Sequence, residues 1–199
     1  MSLSPERKGR LTGSVFAAAI GLNPYQSRQA LYRQLVGIDP PFEGNEATQY
    51  GHDHEQYAVD AYEAEMGVIL DRSGDQQKFV IHPEHDWLGC TPDGYSGDIV
   101  VEFKCPYRQK LYTDVPDYYM PQIQGQMMIT GKPECHFVCW TPDDLAVWRA
   151  SSSEDYQSRM LIYLQKFYEL WKAGIEPPKM KKPTLPAIKT ELILWNCGN

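Results

Sequence analysis

Apolar and polar positions alternate through residues 99–105, IVVEFKC. Successive strand side chains point to opposite faces, so Ile99, Val101, Phe103 and Cys105 share one face and Val100, Glu102 and Lys104 the other. The β-branched residues around the charged pair mark a covered central strand rather than an edge. A covered Glu and Lys are costly unless they are paired or given a ligand.

The same reading predicts the other elements. TGSVFAAAIG (12–21) is a short helix, with Thr12 or Ser14 as cap and Gly21 as stop. SRQALYRQLVG (27–37) is a second, capped by Ser27 and ended by Gly37. The long helix over 46–67 carries Tyr50, Tyr57, Ala61 and Ala64 near helical spacing. Residues 68–73, 77–83, 87–94 and 98–106 read as strands joined by turns, and 116–131 is helical after Pro121. CHFVCWT and LAVWRAS flank the turn PDD and form a hairpin. Residues 152–174 are an amphipathic helix with Ser caps, and Tyr156, Met160, Tyr163, Leu164, Phe167, Leu170 and Trp171 lie on one face. This order predicts an α/β or α+β domain with one mixed central sheet flanked by helices. The remainder, 175–199, reads as a Pro-rich arm of the same 1–199 domain that docks on something, with wrapping of a neighbouring subunit as one destination.

Composition narrows the class. A chain of 199 residues with 42% hydrophobic and 23% charged residues has enough material for a real core. No apolar run approaches the roughly 20 residues that span a bilayer. The N-terminus has no apolar core of a secretory signal. The five cysteines, Cys90, Cys105, Cys135, Cys139 and Cys197, form no C-x-x-C pair and read as reduced, mostly buried thiols of a cytoplasmic protein. The net charge of −7 argues mildly against nucleic acid. The charge is uneven, however. Arg7, Lys8, Arg10, Arg28 and Arg33 face only Glu6 in the first 33 residues, and Lys179, Lys181, Lys182 and Lys189 cluster in the tail.

Asp93 sits in the turn before the Glu102–Lys104 strand. A hairpin between them places two carboxylates side by side, where hard oxygen ligands suit Mg²⁺ or Mn²⁺. A Lys on the same face can hold a water against such an ion, which makes a nucleophile for a phosphorus centre. Alone, Asp followed nine residues later by E-x-K is a common spacing.

Longer segments are more specific. CTPDG followed by VEFKCP resembles the core of the PD-(D/E)XK nuclease superfamily, and more closely the phage lambda exonuclease, or YqaJ-type viral recombinase, family. RKGRLTGS resembles that family's R-x-G-x-x-T-x-S segment, with Gly13 in place of a typical Ala. YGHDHE resembles its G-x-x-x-E helix, and YMPQIQGQM its Y-x-x-Q-x-Q helix. The resemblance implies a restriction-endonuclease-like fold and Mg²⁺-dependent 5′→3′ digestion of one strand of duplex DNA by a ring-shaped homotrimer. The 3′ single-stranded tails would pass to a single-strand annealing protein. It implies Asp93, Glu102 and the Phe103 carbonyl as metal ligands, with Glu55 direct or through water. Lys104 would position the attacking water, and Gln122 would contact that water or the substrate phosphate. Arg7, Ser14 and Thr91 would form a 5′-phosphate pocket. Tyr119, Tyr25 and Arg28 would be possible DNA contacts, and Pro24, Tyr25 and Arg28 candidates for a wedge at the duplex end. Rival readings are an endonuclease with the same metal site, an iron–sulfur nuclease, disfavoured by a lone C-terminal cysteine, and a non-catalytic DNA-binding scaffold.

Overall fold

The computed structural model describes residues 5–72 and 78–197. In chain order the elements are β1 (Leu11–Thr12), α1 (Phe16–Ala19), α2 (Arg28–Leu35), α3 (Glu46–Met66), β2 (Val80–Ile81), β3 (Leu88–Cys90), β4 (Gly94–Ser96), β5 (Ile99–Lys104), α4 (Met120–Thr130), β6 (Glu134–Trp140), β7 (Asp144–Ser151), α5 (Glu154–Lys172) and β8 (Thr190–Cys197). Ser73 and Gln77, at the ends of two predicted strands, lie outside the described residues.

The fold is mixed α/β, but its strands form two sheets rather than one. The smaller has the order β1-β3-β2 and the larger β4-β5-β6-β7-β8. In the larger sheet β5 and β6 are parallel, joined by a crossover through α4, while β4, β7 and β8 pair antiparallel to their neighbours. β5 therefore has a strand on each side, as its composition requires. Its two faces separate two apolar clusters. Val101 and Phe103 join Ala58, Val59 and Tyr62 of α3. Val100 joins the larger cluster built from α1, α4 and α5. Alternation then turns Glu102 and Lys104 toward α4.

Helix ends follow local chemistry. The Ser27 side chain accepts from the Ala30 N–H, and the Ser153 side chain accepts from the Tyr156 N–H. Asn45 and Thr48 close a reciprocal capping box on α3, which ends at Gly67 with φ of 64°. The first helix departs from expectation. A 3₁₀ turn, Gly13–Val15, precedes only four α-helical residues, and no side chain caps either one. Ser14 thus lies within a 3₁₀ turn rather than at a helix start, and its hydroxyl lies 3.2 Å from that of Thr12.

The buried face of α3 is also rotated from the expected one. Ala58, Val59 and Tyr62 are buried, whereas Tyr57 is 60% exposed. The C-terminal arm docks on its own chain: Gln29 Nε2 donates to the Pro177 carbonyl at 2.8 Å, and Leu185 and Ile188 pack on the larger cluster. It ends as β8, a strand the sequence reading missed, paired to β7.

α4 approaches α1 closely at Gly125. A Cβ there would lie 2.5 Å from Cε2 of the fully buried Phe16 ring. Gly125→Ala is expected to destabilise by about 1–3 kcal/mol, because overpacking outweighs the roughly 1 kcal/mol that Ala gains in helix propensity. A thermal melt checks this, and an unchanged or higher Tm would show that the helices separate freely.

Candidate active site

The β4–β5 hairpin aligns Gly94 with Val101, which sets Asp93 at the end of the ladder beside Glu102. Asp93 Oδ2 accepts the Phe103 N–H at 2.8 Å. Glu102 is only 2% exposed, a place where an unpaired carboxylate is too costly to persist. Three donors converge on it. Gln122 Nε2 reaches Oε1 and Gln126 Nε2 reaches Oε2, each at 2.6 Å, and Lys104 Nζ donates to Oε1. The Lys104 ammonium also lies 5.0 Å from the centroid of the Tyr119 ring.

Burial, and next the Glu102 charge, push the Asp93 carboxyl well above the ordinary carboxylate range; Glu55 adds to this, and Lys104 and the Phe103 N–H act against it. Burial disfavours charge on Lys104, but Glu102 and then Asp93 outweigh it and hold the ammonium above its ordinary range. Lys104 is therefore a cation and a donor at neutral pH. It can orient and steady a water or hydroxide.

A cleft of about 200 Å³ opens over this group, and its lining includes Arg7, Ser14, Thr91, Asp93, Gln122 and Gln126. The three residues expected to grip a phosphate thus border one space with Asp93 and Gln122, while Glu102 meets it through the side chains of Gln122 and Gln126. Arg7 donates to the Thr91 hydroxyl at 2.8 Å, and its guanidinium stacks 5.5 Å from the Phe79 ring centroid. Phe79 in turn lies on Gly89, where any Cβ would stand 2.1 Å from Cζ of that ring. Only glycine lets the aromatic support for Arg7 sit there.

Other expected residues fall differently. Glu55 pairs with Arg72, not with the Asp93–Glu102 couple. Tyr25 is 83% exposed, with its ring edge-on to Tyr118 at 5.7 Å. Tyr119 meets the Tyr112 hydroxyl at 3.3 Å. Arg28 is a correction: it is buried, and it donates to the carbonyls of Ala19 at 2.8 Å and Pro178 at 3.4 Å. It ties the α1–α2 turn to the C-terminal arm and is not a surface contact for DNA. Gln124, the second glutamine of the helix motif, donates to the Ser151 carbonyl and accepts the Ser153 N–H. The glutamine that reaches the site is Gln126, which the sequence reading overlooked. It stands one helical turn beyond Gln122, a spacing that places both on one face.

Among the described residues no group of three or more His, Cys, Asp or Glu gathers to hold a metal. The oxygen set that remains is Asp93, Glu102 and the main chain at Phe103, which suits a small hard cation rather than zinc. A further acceptor, Gln126 Oε1, is buried on the cleft lining and has no hydrogen-bond partner among the described residues. Two converging carboxylates, one pushed up by the other, are a donor set that a divalent cation would relieve.

Residues 4–133 match the family described as the YqaJ-like viral recombinase domain. The chain belongs to that family. The match contains Arg7, Asp93, Glu102, Lys104 and Gln126 and ends before β6. This YqaJ-like chain is 23% identical over 162 residues to the uncharacterized protein R354 of Acanthamoeba polyphaga mimivirus, covering 72% of this chain and 29% of that one. It is 24% identical over 153 residues to protein D345L of African swine fever virus, strain Badajoz 1971 Vero-adapted, covering 62% and 44%. It thus spans less than half the length of these curated relatives. Among solved structures, an alkaline exonuclease from Laribacter hongkongensis superposes with a TM-score of 0.68 at 25% identity, over 85% of this chain and 91% of that one. The same enzyme in complex with dAMP gives 0.69. A phage-related exonuclease from Haemophilus somnus, 15% identical, shares the fold with a TM-score of 0.61 over 83% and 96%. The architecture is therefore that of the alkaline exonucleases. Among the described residues no helix is long and apolar enough to cross a membrane.

Proposed function

We propose that this chain is a metal-dependent 5′→3′ exonuclease that degrades one strand of duplex DNA from a phosphorylated end and releases mononucleotides. The observation that carries the reading is that Asp93, Gln122 and Gln126, the last two bonded to Glu102, border the same cleft as Arg7, Ser14 and Thr91. The dAMP held by the Laribacter hongkongensis enzyme is a mononucleotide of the class this reaction would release.

In this reading Asp93, Glu102 and the Phe103 carbonyl hold one Mg²⁺ or Mn²⁺, which when bound supplies Lewis acidity toward the phosphodiester and acidifies a water. Gln122 and Gln126 fix the Glu102 carboxylate from both oxygens. Lys104 keeps its proton on Nζ and donates to the attacking water, so negative charge grows beside a fixed cation. Water attacks phosphorus, the bond from phosphorus to the departing 3′ oxygen breaks, and the shortened strand begins with a new 5′ phosphate. Arg7, with the Thr91 and Ser14 hydroxyls, binds the terminal phosphate and sets how far the strand is threaded. In the same reading Tyr25 would meet the strand outside the cleft and Tyr119 beside Lys104.

Two further parts belong to the reading. A net charge of −7 cannot hold DNA by charge alone at physiological salt, and one subunit of this size cannot encircle a duplex. A cyclic homotrimer would retain it by enclosure. The 3′ tails left behind would serve a single-strand annealing protein.

Incubation of 5′-phosphorylated linear duplex and of closed circular DNA with Mg²⁺ tests this directly. Only the linear DNA is expected to be degraded. Opening of the circle would favour the endonuclease reading, and attack on neither would favour a binding protein. Arg7→Ala is expected to slow phosphorylated ends by about 10–100-fold, the value of a charge-assisted hydrogen bond, toward the rate on 5′-hydroxyl ends. Equal initial rates of the wild-type chain on the two ends would remove the phosphate pocket.

A further inference from the structure

We infer that Arg72 occupies the position of a second cation in this site, so that the chain takes up one divalent ion where many nucleases take up two; the inference rests on the nuclease reading above. Two-metal phosphodiesterases place their ions a few ångströms apart, bridged and flanked by carboxylates. A third carboxylate is present here in Glu55, linked to Asp93 through one guanidinium that bonds both the Glu55 side chain and the Asp93 main chain. Glu55 is already taken. Arg72 donates through one terminal nitrogen to Glu55 Oε1, through the other to Gln56 Oε1 at 3.1 Å, and through Nε to the Asp93 main-chain carbonyl at 2.8 Å.

The placement is built rather than incidental. Asp71, the residue before it, pairs with Tyr95 through two main-chain hydrogen bonds of 2.8 and 3.1 Å, which pins the base of the Arg72 side chain to β4. Its stem lies on Gly94, where a Cβ would stand 3.1 Å from Arg72 Cγ. The side chain is 19% exposed, so solvent screens the pair with Glu55 only in part. A guanidinium does not lose its proton in proteins and matches carboxylate and carbonyl oxygens with a rigid fork.

The charges balance for one ion. Asp93, Glu102 and Glu55 are flanked by Lys104 on the Glu102 side and by Arg72 on the Glu55 side. Three carboxylates against two protein cations leave one formal negative charge, which a single divalent ion overturns. A second ion would have to strip a charge-assisted bond from Glu55 and enter a site already positive.

Calorimetric titration of the chelator-treated full chain with Mn²⁺ reads this without reference to turnover. One equivalent per chain is expected. Arg72→Ala is expected to bind a second equivalent, Arg72→Lys to stay at one because it keeps the charge, and the double variant Arg72→Ala, Glu55→Gln to return to one. Digestion of 5′-phosphorylated duplex is followed in the same preparations. Two equivalents in the wild-type chain overturn the inference, and continued digestion there leaves the nuclease reading standing. A single equivalent in Arg72→Ala protein that keeps its ellipticity overturns it as well. No bound Mn²⁺ and no digestion overturn both. Should Arg72→Ala not fold, the wild-type and Arg72→Lys counts decide.

Discussion

Lys104→Ala is expected to slow strand digestion by about 10²–10⁴-fold, the usual contribution of a positioned proton donor or acceptor. Mn²⁺ affinity and binding of a duplex end are expected to stay within a few fold of the wild-type chain. The separation follows from where the ammonium sits. Its recorded hydrogen bond goes to Glu102 Oε1, an oxygen that Gln122 also holds. Glu102 Oε2 is fixed independently by Gln126. Removing Lys104 therefore leaves the carboxylate aimed but takes away the cation that the proposed mechanism sets against the attacking water. Because Glu102 and Asp93 hold Lys104 in its charged form, the wild-type rate should not fall through loss of that proton as pH rises from neutral within the range in which the protein is folded. Single-turnover digestion combined with Mn²⁺ calorimetry separates the two effects. Near-normal turnover would take Lys104 out of the mechanism, and a parallel loss of metal would make it a structural partner of Glu102.

The central strand was legible because period-two alternation leaves few alternatives. Val101 and Phe103 face α3, while Glu102 and Lys104 face α4, as the pattern demands. The hairpin that joins Asp93 to Glu102 follows from a short turn, Gly97, with φ of 59°. The rotation of α3 was not legible, since aromatic residues lie on both of its faces. Tyr50, His54 and the more exposed Tyr57 form a half-buried ladder with Trp140 at the rim of the smaller cluster, with Tyr50 and His54 stacked at 3.8 Å and Tyr57 and Trp140 at 6.1 Å. Their side chains mimic a core stripe in any hydrophobicity count. β8 was hidden by the prolines before it, which make the segment read as an arm although Thr190–Cys197 pairs with β7.

Within the site, contacts made along one element could be read and contacts made across the fold could not. Gln126 lies at i+4 from Gln122 on α4 and was in principle available to sequence reasoning. Arg72 was not. It reaches the site through an isolated bridge between Asp71 and Tyr95, and although residues 68–73 read as a strand, nothing in the sequence names Tyr95 as the partner. The burial of Arg28 is similar, because one of its acceptors, the Pro178 carbonyl, is 150 residues distant in the chain. A basic residue in the first turn of a short helix reads as surface until the arm that covers it is placed.

Asp93→Asn is expected to abolish digestion and, in the metal-free chain, to raise stability. Asp93 carries a cost in the folded state, as burial and the neighbouring Glu102 charge both oppose its ionisation. For a carboxyl whose folded-state pKa is raised, the neutral form favours the fold at low pH, and that advantage is lost as pH rises through the folded value. At neutral pH and above, a neutral Asn of the same shape removes the cost. Its Oδ1 can still accept the Phe103 N–H that Asp93 Oδ2 accepts at 2.8 Å, so the hairpin keeps its closing bond. A gain of about 1 kcal/mol corresponds to roughly 2–4 °C in Tm for a domain of this size. With Mg²⁺ present the order should reverse. The wild-type chain binds the ion in the folded state and is stabilised by it, whereas Asp93→Asn has lost a ligand and gains little. Paired melts with chelator and with Mg²⁺ read both terms. A variant less stable than wild type under chelator would mean that the Asp93 charge is needed to close the β4–β5 turn. Equal Mg²⁺ shifts in the two proteins would mean that the ion is held elsewhere.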